Sequence, residues 1–446
     1  MANRNGSNSI PFWGTYATAA VLPNVAAAPT QTPQLQAGDQ AYVSGVSGFF
    51  VCTTATPGAA VWVQLVSSTG GSRYYDIVVG NAPAGDTLAI CDYLDTGNGE
   101  QLQAALTAAG AAGPKKTVFG RRGTYDRGAA GSTGGPITVP ASVTLIGDGT
   151  TPTVIKGASD PQAKAVKSAV ALDVSGDVRE IAVSIPNLAS ADASGLKGFV
   201  VVRSTGELHN VHVAMSAVLT TPARLVTIVA MIDCADGAFL QDCRVTSAPP
   251  ATAAATPFAG IRASGGNSDI IEIFHCDVVG DAVLGMPGYG FDIVDAVHVR
   301  LIAPRAIDWV DAGIALRTVA ADTSDVQITQ VVSLLTGNPQ AVEVGILLES
   351  TNNHPLSTVR VIGGTIDLNT TRATGTIGVH ITGIGTTTQT NTIYDMLIQN
   401  ADTAAVIDQS GGGTVAGNGI LGTGAFNCSA GIDNIDDASF RTGGNY

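Results

Sequence analysis

One four-residue pattern returns through the middle of the chain and limits what it can fold into. It reads Glu180-Ile181-Ala182-Val183, Asn210-Val211-His212-Val213, Asp242-Cys243-Arg244-Val245 and His275-Cys276-Asp277-Val278, at intervals of 30, 32 and 33 residues. A fifth copy, His298-Val299-Arg300-Leu301, follows after 23. Positions two and four are apolar, and positions one and three are almost always polar. This is the two-residue period of a strand, which sends the apolar pair to a core and the polar pair to solvent. A strand recurring at such intervals describes a coiled array of small units, not a single sandwich.

A second recurrence locks the phase. Gly198, Gly260, Gly290, Gly313, Gly345 and Gly378 each open a short apolar-alternating run, and turn-rich stretches such as Ser204-Thr205-Gly206 follow. Further strands then begin at Asp325, Thr358 and Thr392. Each unit holds two or more short strands and tight turns, with no room for a ten-residue helix. The expected fold is all-β, a parallel β-helix of roughly eight to ten coils.

Three segments are expected. Residues 1–70 form a separate small β module, with three alternating segments between Ala37 and Leu65 divided by Gly and Pro turns. Residues 71–157 hold an amphipathic helix, starting near Asn98 and stopping at Gly110 with Leu102 and Leu106 one turn apart, and the first coils. Such a helix would cap the open end of the coil stack. Residues 158–446 are the β-helix body and C-terminal end, the pattern loosening after Ile407.

The run Asp95-Thr96-Gly97-Asn98-Gly99, an Ala-rich helix, Gly123-Thr124-Tyr125, then Ile137-Thr138-Val139-Pro140 and Val143-Thr144-Leu145-Ile146-Gly147-Asp148-Gly149 resembles the opening of the pectate-lyase-like superfamily of right-handed β-helices. Bacteriophage tailspikes also use it. The resemblance is close over residues 95–157, and handedness comes from it alone. One departure is that the family's acidic cap motif is here Asp95-Thr96-Gly97-Asn98-Gly99-Glu100. Residues 37–65 resemble N-terminal attachment segments of phage tail and fibre proteins, which implies docking to a particle. A homotrimer is implied by likeness to spikes, although the large domain that usually follows a spike's helix is missing.

A net charge of −14 argues against nucleic acid or an anionic membrane as partner. No run of 18 apolar residues and no apolar leader is visible, so no membrane insertion is expected, and the protein is read as made in the host cytoplasm and carried on the virion. The six cysteines lack zinc spacing. Cys243 and Cys276 share an inward position on successive coils; they read as a reduced buried stack, with an inter-coil disulfide as the alternative.

The chemistry expected of the sequence lies in two outward columns. One is Asn210, Asp242, His275 and His298; the other is His212, Arg244, Asp277 and Arg300. They read either as a saccharide-binding groove or as a solvated face with cross-coil ion pairs of ~0.2–1 kcal/mol each. For a glycosidase, Asp242 and Asp277 would have to lie roughly 5–9.5 Å apart with one kept protonated, and His275 and Arg244 complete that candidate set. No flanking motif supports the pair. Asp433, Asp436 and Asp437 read as an acidic loop, and Trp309, Tyr289 and Phe291 are the one aromatic cluster that could stack on sugars. No cofactor or metal is expected. The leading reading is a phage-type virion surface protein, a tail or head fibre or spike, touching host envelope polysaccharide. The alternatives are a polysaccharide lyase or hydrolase on the same fold and a purely architectural virion protein.

Overall fold

The computed structural model describes strands 12–16, 40–43, 48–54 and 61–64 and then residues 75–443, except 89, 151–152, 216–227, 247–257, 266–268, 281–287, 310, 337–342, 351–353, 369–374, 384–386, 409–413 and 436–440. Gln40–Val43, Gly48–Thr54 and Val61–Gln64 pair antiparallel in chain order, and Phe12–Tyr16 adds parallel to the first.

From Ile77 onward the strands pair parallel, each with the strand one coil further along. A coil has three runs. In residues 198–215, Gly198–Val202 lies on a back face, residues 207–209 on a front face and residues 211–215 on a side face. The back-face ladder continues through Ala230–Cys234, Ala259–Gly265, the start of Tyr289–Ile302, Ala312–Arg317, Val344–Ser350 and Ile377–Gly383. The front ladder runs through Phe239–Gln241, Ile271–Phe274, the end of Tyr289–Ile302, and the first halves of Thr323–Leu334 and Leu356–Asp367. This is a parallel β-helix, and its interior is one continuous apolar cluster from Val79 to Ile420.

Front and side runs are joined by a single residue in the left-handed conformation. Glu180, Asn210, Asp242, His275, Ala303, Gln330, Gly363, Asp395 and Gly422 occupy this corner, with φ between 49° and 67°. Position one of the repeat is therefore not an outward strand position, as its alternation suggests. The chain turns there, and Asn, Asp and His are the side chains that tolerate positive φ most readily. Their polarity has a backbone cause.

The glycine column has a steric cause. A Cβ on Gly313 would lie 2.2 Å from Ser333 Oγ and 2.9 Å from the Gly345 carbonyl oxygen, and one on Gly345 would lie 2.4 Å from Ile366 Cγ2. The back run passes so close to the interior side chains of the side run that no side chain fits. Gly198 is one residue out of this column, because it pairs with Ala230, which pairs with Ala259.

The helix spans Glu100–Ala111 and buries Leu102, Ala105, Leu106 and Ala109 in the same core. Its first-turn N–H groups would otherwise lack partners. Asp95, fully buried, supplies them: its carboxylate accepts from the amides of Gly97, Gly99, Gln101 and Leu102 at 2.7, 3.0, 2.9 and 3.1 Å. Gly110 does not end the helix. It makes room for Pro140, whose Cγ would lie 2.9 Å from an added Cβ. Among the described residues no helix is long and apolar enough to cross a membrane.

Candidate functional site on the front face

Two outward columns run along the front face, separated by inward residues such as Leu240, Ile273 and Leu301. The register places Glu207, Phe239, Glu272, Arg300, Gln327, Arg360 and Thr392 in one column. His209, Gln241, Phe274, Ile302, Thr329, Ile362 and Tyr394 form the other. Aromatic rings meet diagonally between them. The His209 and Phe239 centroids are 5.3 Å apart, and Phe239 and Phe274 are 5.4 Å apart, all tilted.

At one end of this strip His209 Nε2 lies 3.1 Å from Glu207 Oε2 and 3.8 Å from Asp177 Oδ1. These three groups could together approach a cation. Arg179, however, already forks onto Asp177, its Nη2 donating at 2.6 Å, and Lys115 Nζ stands 4.0 Å away. The local negative charge is spent on these partners, which suits a structural ion network better than a divalent metal.

The columns expected from the sequence are only partly assembled. Asn210, Asp242 and His275 do follow one another along the corner. Asn210 Nδ2 donates to Glu180 Oε2 at 2.6 Å, and His275 Nδ1 stands 3.6 Å from Asp242 Oδ1. His212, Arg244 and Asp277 do share a side-face column. His298 and Arg300 join neither. The register sets Val299 beside Ile271, so the residues next to His275 and Asp277 are Ala303 and Arg305. His298 turns the other corner, where its Nδ1 meets Asp325 Oδ2 at 2.6 Å, and Arg300 belongs to the front face. The short interval of 23 was the sign of this: the fifth copy lies one corner earlier in its coil.

His212 Nε2 lies 3.0 Å from Thr246 Oγ1, and burial, helped by Arg244, pushes its pKa down. Asp277 faces Arg305 at 3.7 Å. Asp242 is 53 % exposed, on the solvent side of its corner. Trp309, Phe291 and Tyr289 are buried and offer no ring to a sugar. Cys243 and Cys276 are free thiols, stacked and buried, with the Cys276 pKa driven well up by burial. Asp436 and Asp437 lie outside the described residues, as does the Asp433 side chain.

Desolvated carboxyls do exist on the back face. Arg262 Nη1 stands 3.8 Å from Asp233 Oδ1, and Arg317 forks onto Asp292 at 3.0 and 2.9 Å. Burial raises the pKa values of Asp233, Asp311 and Glu349, against the opposing pull of Arg262 on the first and Arg317 on the other two. Sequence reading missed this cluster. Each strand contributes one or two of its charges, and only the register brings them together.

The fold and this half-buried strip define a parallel β-helix protein whose front sheet carries aromatic and charged side chains on its outer side. Among solved structures, the chain is similar to the A-module of a mannuronan C-5 epimerase of Azotobacter vinelandii, at 15% identity and TM-score 0.37, covering 77% of this chain and 93% of that one. It is also similar to an endo-xylogalacturonan hydrolase from Aspergillus tubingensis, at 14% identity and TM-score 0.40, covering 82% and 91%. The ORF18 protein of Geobacillus virus E2 matches at 12% identity and TM-score 0.33, covering 97% and 75%. No protein-family model and no curated protein matches the sequence.

Proposed function

We propose that this is a surface protein of a phage or phage-like particle, whose β-helix lays its front face along an extended polysaccharide of the host envelope. The observation that carries this reading is the His209–Phe239–Phe274 ring series on a solvent-facing sheet flanked by Glu207, Glu272 and Arg300. Aromatic rings take the C–H faces of sugars while charged neighbours take their hydroxyls. A coil rise of ~4.8 Å is also close to the length of one sugar residue in an extended chain. Residues 1–70 dock to the particle, as their resemblance suggests, the Glu100–Ala111 helix caps the coil stack, and the working form is a homotrimer by likeness to spikes.

The test is to incubate purified protein with host envelope polysaccharide, reading both binding and new reducing or unsaturated ends. Binding without cleavage is expected, weakened at least about tenfold by Phe239→Ala or Phe274→Ala, the loss of one stacked ring. Undiminished binding by both variants overturns the assignment to this face. The enzyme reading has its own observation, the desolvated Asp311 and Glu349 beside Arg317. Cleavage that Glu349→Gln abolishes would establish that reading in its place.

A further inference from the structure

We infer that the front face selects a linear polysaccharide carrying an anionic group on alternate residues. This inference rests on the glycan reading above and specifies its substrate class. Glu272, Arg300, Gln327, Arg360 and Thr392 are consecutive in one column. The two guanidinium groups therefore sit two coils apart, ~9.6 Å at the usual inter-strand spacing of ~4.8 Å, with a neutral amide between them. A chain with one sugar per coil would present every second residue to an arginine and the intervening one to Gln327.

At Arg360 the surroundings agree with an anion and not with a protein-internal partner. Arg360 is exposed and has no ion-pair partner among the described residues. Arg300 is half exposed and pairs with Glu272 Oε1 at 3.6 Å, a partly exposed ion pair that a bound carboxylate would exchange for its own. In the adjoining column, level with the arginines, stand Ile302 and Ile362, with Tyr394 one coil beyond. Ile362 is 37% exposed on this solvent-facing sheet, which offers an apolar seat for the sugar ring whose carboxylate the neighbouring arginine takes. Guanidinium suits this task because its fork matches a carboxylate and it stays charged at all relevant pH. In a protein of net charge −14 the attraction is local to these two side chains.

The experiment titrates the full chain with a hyaluronan decasaccharide, which has a carboxylate on alternate residues, and with the same oligomer after carboxyl reduction. Wild type should bind the acidic probe at least about tenfold more tightly, as charge-assisted hydrogen bonds predict. That preference should shrink with added salt. Arg300→Gln and Arg360→Gln should each erase part of the preference and the double variant most of it, each weakening the acidic probe far more than the reduced one. Equal binding of both probes by wild type, or a preference that survives the double variant, overturns the inference while leaving the glycan reading intact. If wild type binds neither probe nor envelope polysaccharide, both fall. Binding of envelope polysaccharide that carboxyl reduction leaves undiminished overturns this inference alone.

Discussion

Arg317 reaches across one coil to fork onto Asp292, and its guanidinium carbon lies 4.4 Å above the centre of the Tyr289 ring. Both charged side chains are nearly removed from water, at 12% and 3% exposure. Removing one partner of such a pair strands the other. Asp292→Ala should cost about 3–5 kcal/mol in urea unfolding, and Asp292→Asn combined with Arg317→Gln should cost less than the single truncation. A single-variant loss under about 1 kcal/mol would mean the pair is solvated after all.

Glu349 predicts an unusual pH dependence. Its folded-state pKa is raised above 4.5 by burial, with Arg317 and then His380 pulling the other way. The folded chain thus holds this proton more tightly than the unfolded chain. The wild-type contribution is most favourable below 4.5 and is lost as pH rises through the folded value. Glu349→Gln should therefore melt higher than wild type at neutral pH, and the gap should close as pH falls below that point. A variant less stable at neutral pH would show that the ionised carboxylate is needed there.

Gly313 tests the steric account of the glycine column. Gly313→Ala puts a methyl against Ser333 Oγ and the Gly345 carbonyl. Overpacking of this kind costs about 1–3 kcal/mol, and the larger Gly313→Val should fail to yield folded protein. Circular dichroism melts check both; an unaltered melt for the Ala variant would contradict the geometry.

Asp242 separates a corner role from a catalytic one. At φ 53° it lies where glycine is free of strain. Asp242→Gly should keep wild-type stability and polysaccharide binding, whereas Asp242→Val should lose about 1–2 kcal/mol. Loss of binding or of any cleavage activity in a stable Gly variant would restore Asp242 to the functional site.

The coil was legible because burial writes a period of two onto each strand, and Ile181, Val211, Cys243 and Cys276 mark one inward column without help from the structure. The corner was not. Asn210, Asp242 and His275 are polar residues at polar-looking positions, and alternation alone cannot tell an outward strand residue from a left-handed turn. His298 shows the same limit: its tetrapeptide matches, but it turns a different corner. The front-face strip escaped notice because Phe239, Phe274 and Ile362 are apolar residues facing out, against the pattern used to read the strands. The charges around Arg317 come from separate coils and become neighbours only through register.

The single-residue corners and the parallel ladders also settle how the protein carries load. Hydrogen bonds between coils point along the axis, so a pull on both ends is shared at each level by the front, side and back runs together. Peeling from one end meets the same bonds one after another. The body should therefore behave as a stiff rod under axial tension and yield first by unzipping at its outermost coil.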